Sequence, residues 1–380
     1  MNKPGKTLRI AVLGGGNGSF AAAGDLTISG HEVRLWRRDK AAVRAHRKAG
    51  GMIVVKDFAG RHTATPKLIT ADIGEAVRGA ELIVCPAPAT AQPDIARVLG
   101  PHLTEGQVVF LPPGTFGSYI FAKAARDANN RADVAFAETG TLPWLTRKHG
   151  PHEVAITIRA KRLPTGVFPA RHKRHALAVI DAAFPGVIEP CGDALSGALM
   201  NAGPIIHPPL ITMNAAPLEH FSGAPGADEA PARWDIHKEG TQASVRRVTD
   251  ALDGERIAVR RALGYRAPHF PLSDHYARAG DEWMYGRGSH DKLTDSGDWR
   301  ENIVLTEHRY MLEDVALGLS LLVSVGELAR VPTPLARAFL AIGSAICGSD
   351  FLETGRTLGN LGLGRLDKAG LKALLAEGLP

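Results

Sequence analysis

Cysteine is scarce in this 380-residue chain, and Cys85, Cys191 and Cys347 stand far apart. Three dispersed thiols supply neither a disulfide framework nor a zinc site, and they fit a reducing, cytoplasmic setting. Long apolar runs are missing as well. The longest, 315–325, carries glycine and serine and lies between Asp314 and Glu327, against the roughly 20 apolar residues of a membrane span. Lys3, Lys6 and Arg9 precede only the short apolar run 10–13, so no secretory signal is expected there. No internal repeat is apparent.

Concentrated charge of one sign is also absent. Lys and Arg number 45 against 39 Asp and Glu, a net charge of +6. The densest basic stretches are Arg34, Arg37 and Arg38, and residues 171–175. Both are short and without interleaved aromatics, which argues against a nucleic-acid partner. A mildly basic surface suits anionic small molecules. What the chain does have is 44% hydrophobic residues, ample for a folded core.

The first half alternates short apolar stretches with helical ones. Runs at 8–13, 31–36, 81–85, 108–111 and 134–137 read as strands, with helical segments at 19–29, 41–48, 92–99 and 119–128. That alternation predicts an α/β fold, a doubly wound parallel sheet covered by helices. After about Cys191 helical periodicity takes over, at 244–263, 309–328 and 335–346. We therefore expect a dinucleotide-binding domain over 1–190 and an all-helical domain over 191–380, with a hinge near Cys191. Residues 223–231 and 280–298, the latter with Trp283, Tyr285 and Trp299 in or beside it, read as exposed loops.

Gly14-Gly15-Gly16-Asn17-Gly18-Ser19 follows the first strand and opens the first helix. Glycine there allows a tight turn and lets the backbone approach a pyrophosphate, which the helix N-terminus then attracts. The placement between strand and helix makes Gly14, Gly16, Asn17, Gly18 and Ser19 candidate cofactor ligands. About twenty residues on, where an NAD site usually carries an acid, stand Arg37 and Arg38, with Asp39 just beyond. Two arginines suit the 2′-phosphate of NADP. The other reading leaves both arginines solvated and gives the ribose of NAD to Asp39.

In the second half, His207 is followed by Pro208 and Pro209. Proline disfavours helical geometry at the residue before it, which predicts His207 near the end of an apolar segment, its ring pointing into a cleft. Histidine suits proton transfer near neutrality, although a buried core histidine would look the same in sequence. Arg309 and the acidic pair Glu313-Asp314 open a long apolar helix. Five positions separate Arg309 from Asp314, so on one α-helix they would not share a face well. Spacing leaves open whether both reach one site.

Four stretches together resemble the opine dehydrogenase family, whose members include octopine and nopaline dehydrogenases. They are the loop 14–18, the run from Asn201 through Pro209 to Asn214, the run Leu252-Asp253-Gly254-Glu255-Arg256, and residues 309–315. The resemblance implies a Rossmann domain, a helical domain and a site in the cleft between them. It implies His207 as catalytic acid/base, Asp314 as its orienting partner, Arg309 as a ligand of a substrate carboxylate, and Asn201 as a residue that holds substrate. Val315-Ala316-Leu317 departs from the Val-Pro often found there.

The activity so implied is NAD(P)H-dependent reductive condensation of an amino acid with a 2-oxo acid, giving a secondary amine with two carboxylates. NADP is the expected cofactor, with NAD second, no metal, and small molecules as partners rather than nucleic acid or membrane. The oligomeric state is open, a homodimer included. One rival is a two-domain dehydrogenase of a hydroxy acid or sugar phosphate, which would use a lysine base in its helical part. Lys238 and Lys292 lie in loop-like context instead. A second rival, a non-catalytic NADP sensor, would need no His-Arg-Asp set.

Overall fold

Most of the apolar runs of the first half become buried strands of one sheet. A computed structural model describes residues 6–221, 234–279 and 283–380 of the protein. Among them are the strands β1 (Arg9–Leu13), β2 (Glu32–Trp36), β3 (Ile53–Asp57), β4 (Gly60–Ala64), β5 (Leu68–Thr70) and β6 (Leu82–Val84). The others are β7 (Val108–Leu111), β8 (Ala135–Thr139), β9 (Trp144–Gly150), β10 (Glu153–Arg159), β11 (Leu163–Phe168) and β12 (Ile188–Asp193). Eight form a sheet in the order β12-β11-β8-β7-β6-β1-β2-β5. Its pairs are parallel except β8 with β11. The chain winds outward from β1 in both directions, so the loop after β1 lies at the switch point where such sheets bind ligands.

A second sheet, β4-β3-β10-β9, was not expected from the sequence. It packs on the far side of the first helix, Asn17–Ile28, in which Gly18 to Gly24 and Leu26 are all buried. A helix buried nearly all round needs cover on more than one face. Phe20, Leu26, Val12, Leu35, Val55 and Trp144 share one core. Gly24 permits the close approach, since a Cβ there would lie 2.4 Å from a Val55 methyl. Asp25 ties helix to sheet, accepting from Trp144 Nε1 at 2.6 Å and from Arg159 Nη2 at 2.7 Å.

The chain divides into two units, Met1–Ala198 with Ala373–Pro380, and Leu199–Lys372. The second unit is helical. Its long elements are Gly203–Met213, Ala243–Ala262, a π-helix over Tyr310–Leu319, Ser320–Ala329 and Pro334–Cys347. The run 252–256 is scaffold here. Arg256 is paired with Asp253 at 2.6 Å, and its other nitrogens bond the carbonyls of Leu199 and His269 at 3.0 and 2.9 Å. Glu255 accepts from the backbone N–H groups of Leu335 and Ala336, capping the helix Pro334–Cys347.

Two local expectations are corrected. Residues 280–298 are not simply an exposed loop: Ser289–Asp295 is helical, Lys292 lies in that helix, and Trp283 and Tyr285 are buried. The stretch 223–231 lies outside the described residues, as do 280–282. The Pro208-Pro209 pair does not end its helix, which continues to Met213. Two intrahelical N–H donors are lost, but Ile205, Pro208, Pro209, Leu210 and Ile211 are all buried. Packing outweighs local propensity there.

Candidate functional site

In the first unit the glycine loop has the geometry a dinucleotide needs. Gly14 adopts φ +120°, and a Cβ there would lie 2.5 Å from Ser19 Oγ, so glycine is required. Gly16 precedes the helix with open space around its Cα, no side-chain cap and no acid in the first turn. The N–H groups at this helix start therefore point at an anion site. Ser19 braces the turn, its buried hydroxyl donating to Leu13 O at 3.2 Å. Asn17 Oδ1 accepts from the backbone N–H of Lys148 at 3.0 Å, which ties β9 to the loop. Gly18 is buried against Pro86 and Leu142.

A cavity of about 280 Å³ is lined by Gly14, Gly15, Gly16, Ser19, Arg37, Arg38 and Asp39, with Trp36 and residues 86–88 among the others. Asp39 caps the next helix, Oδ1 accepting from Ala41 and Ala42 at 2.8 and 3.1 Å, and these bonds hold its pKa below the usual range. Arg38 is exposed and 3.6 Å from Asp94. Arg37 is half-buried and donates to Ala42 O at 3.3 Å. Loop, helix start and arginines fit a dinucleotide with its phosphates.

In the second unit two elements come together on small residues. A Cβ at Gly203 would lie 2.2 Å from Asp314 Oδ1, and one at Gly318 would lie 2.2 Å from Pro204 Cγ. The helix Gly203–Met213 thus lies directly on the π-helix. His207 Nδ1 meets Asp314 Oδ2 at 2.6 Å, with the carboxyl only 2% exposed. Burial pushes the Asp314 pKa up to about 7, while Arg309 and His308 draw it back. Asn201 is buried and accepts from the Gly203 N–H at 3.1 Å, holding the helix start.

The π-helix answers the spacing question. Its i→i+5 hydrogen bonds widen the turn, so residues five apart return toward one face. Arg309 stands at its start, and Arg309 Nε lies 3.4 Å from Glu313 Oε2. Its charge is also felt at Asp314. The Arg309 side chain is 46% exposed, within reach of an anion. Histidine, aspartate and arginine are gathered within one unit.

Sequence reasoning missed Tyr310 and His237. Tyr310 stacks on His207 with ring centroids 3.6 Å apart and planes at 13°. Its Oη shares a hydrogen bond with His237 Nε2 at 3.1 Å, and the His237 ring contacts Trp299 edge-on. Tyr310 sits inside the Arg309 stretch and could have been read from it. His237 had no local signal. Lys238 and Lys292 are both exposed and carry no such setting. Among the described residues no helix is long and apolar enough to cross a membrane.

The family model described as NAD/NADP octopine/nopaline dehydrogenase, alpha-helical domain, matches residues 190–347. An opine dehydrogenase from Arthrobacter sp. strain 1C is 31% identical over 96% of this chain and 97% of its own. A solved octopine dehydrogenase in complex with NADH and agmatine superposes with a TM-score of 0.70 at 19% identity, covering 98% of this chain and 99% of its own. An octopine dehydrogenase structure with NADH and pyruvate gives 0.67 at 19% identity, covering 97% and 98%. The chain belongs to the opine dehydrogenase family and is an NAD(P)-dependent oxidoreductase acting on CH–NH donors.

Proposed function

We propose that this protein condenses an amino acid with a 2-oxo acid and reduces the resulting imine, with NADPH preferred over NADH. The observation that carries this reading is the 2.6 Å contact between His207 Nδ1 and Asp314 Oδ2. A buried carboxylate on Nδ1 fixes the imidazole orientation, and Nε2 is the nitrogen assigned to proton exchange. The Arthrobacter relative is an opine dehydrogenase, and the octopine dehydrogenase structure was solved with pyruvate, a 2-oxo acid.

The amine nitrogen attacks the oxo carbon, and the carbinolamine oxygen leaves as water. His207 Nε2 gives that oxygen its proton, and Asp314 supports the cationic ring. The nucleotide, when bound, supplies the hydride. Arg309 holds a substrate carboxylate with its forked donors, and Asn201 keeps the helix that carries His207 in place. The loop residues Gly14, Gly16, Asn17, Gly18 and Ser19 hold the pyrophosphate, while Arg37 and Arg38 face the 2′-phosphate.

The test is NADPH oxidation over a grid of amino acids and 2-oxo acids, with mass detection of the conjugate. A secondary amine carrying both carbon skeletons is expected. His207→Ala should lower its formation about 10²–10⁴-fold, the usual worth of a positioned proton-transfer group. Oxidation of NADPH with a 2-oxo acid alone, to the hydroxy acid, would overturn the reading.

A further inference from the structure

We propose that Lys148, carried on β9 of the second sheet, is a further ligand of the 2′-phosphate and acts with Arg37. This inference rests on the preference for NADPH proposed above.

Lys148 Nζ lies 4.1 Å from the centroid of the Phe20 ring, and the Arg37 guanidinium carbon lies 5.3 Å from the same centroid. His46 stacks on Phe20 at 5.7 Å, and His152 stacks on His46 at 4.1 Å. Lys148, Arg37 and His46 therefore gather about one buried ring, with His152 stacked on His46. Among the described residues neither Lys148 Nζ nor Arg37 has a carboxylate within ion-pairing distance. Asp39 is the acid whose charge reaches Arg37, and its Oδ1 is engaged by two backbone N–H groups.

Such a cluster is costly without an anion, because like charges repel and partial burial removes water. The pKa directions carry the same sign. Burial first, then Arg37, lowers the pKa of Lys148, and burial followed by the two cations lowers that of His152. The pKa of Arg37 is itself lowered by burial.

Position selects the anion. Arg37 lines the nucleotide cavity at the end of β2, where the ribose of a dinucleotide sits. The backbone of Lys148 is stitched to Asn17, the first residue of the helix after the loop. A flexible four-carbon stem lets its ammonium meet a phosphate between those two points. A dianionic 2′-phosphate would offset both charges. A bare ribose hydroxyl would leave them unpaired.

Calorimetry with adenosine 2′,5′-bisphosphate and adenosine 5′-monophosphate tests this without turnover. Lys148→Gln should weaken the bisphosphate about tenfold, as expected for one charge-assisted bond, and leave the monophosphate unchanged. Lys148→Arg should restore most of the loss. Equal weakening of both nucleotides, or no change in either, would overturn the assignment of Lys148. If the unaltered protein does not prefer the bisphosphate, the NADPH reading itself fails. If it does and the preference survives Lys148→Gln, only the lysine is wrongly assigned.

Discussion

The imidazole of His207 lies flat against the phenol ring of Tyr310, with centroids 3.6 Å apart. Asp314 fixes the ring by one edge and Tyr310 by its face, so neither rotation nor tilt is free. His237 in turn anchors the phenol through Oη. The imidazole is thus held by packing as well as by charge, as the proton-transfer role proposed for it requires.

Replacing Tyr310 separates those contributions. Tyr310→Phe keeps the stacked ring and loses the bond to His237. We expect it to lower kcat less than tenfold. Tyr310→Leu removes the flat face, and an aromatic contact is worth about 0.5–1.5 kcal/mol, so kcat should fall about tenfold with cofactor affinity unchanged. Equal activity of the phenylalanine and leucine variants would show that the stack does not position His207.

Asp314 makes stability depend on pH. Its folded pKa, raised by burial to about 7, stands above the ordinary 3.8. The folded state therefore retains a proton that the unfolded chain has released. The associated stability is fully present below about pH 4, is lost as pH rises to about 7, and stays lost above that. On a scale of 1.36 kcal/mol per unit the loss is at most about 4 kcal/mol. In Asp314→Asn the slope between about pH 4 and 7 should flatten in denaturant titrations, while turnover above about pH 7 falls because the supporting charge is gone. Loss of both stability and turnover at pH 8 would mark Asp314 as structural.

The glycine loop, the central strands and the place of Arg37 and Arg38 beside the loop were legible because each is local. Gly14 to Ser19 are contiguous, and a strand followed by glycine and helix carries its own meaning. The second sheet was not legible. Its strand Gly60–Ala64 reads Gly-Arg-His-Thr-Ala, without apolar alternation, and it forms because β3 lies beside it. β12 carries Pro190 and Gly192, which break a strand pattern, yet it pairs with β11 through a register shift at the sheet edge. His207 and Asp314 are 107 positions apart, and Lys148 reaches the loop from another sheet. No spacing rule joins residues that only tertiary packing brings together.

The close approach behind the His207–Asp314 pair can be tested at glycine. Gly203→Ala would set a Cβ 2.2 Å from Asp314 Oδ1. We expect about 1–3 kcal/mol of destabilisation from overpacking, with turnover reduced because the helix carrying His207 must shift. Gly254 lies inside the helix Ala243–Ala262 with nothing within 4 Å of a Cβ. There alanine should add about 0.5–1 kcal/mol through helix propensity alone. The two substitutions should therefore differ in sign in thermal unfolding. A neutral Gly203→Ala would mean that the helices can part without loss.

Arg37 and Arg38 should not contribute equally to the choice of cofactor. Both line the nucleotide cavity. Arg38 has a side chain 76% exposed and a carboxylate, Asp94, at 3.6 Å. Water and that partner already satisfy its charge, so its contribution to binding is screened. Arg37 is half-buried, bonded to Ala42 O and backed by Phe20. Its remaining guanidinium donors are held in a fixed direction, which suits a forked contact to phosphate. We expect Arg37→Ala to raise the KM for NADPH about tenfold or more, with little change for NADH, as loss of a charge-assisted bond implies. Arg38→Ala should change either KM less than threefold, in line with an exposed ion pair. The double variant should behave like Arg37→Ala, and its preference should move toward NADH. Steady-state kinetics with both nucleotides at low and moderate salt decide it: a larger effect at Arg38 would place the 2′-phosphate on the outer arginine instead.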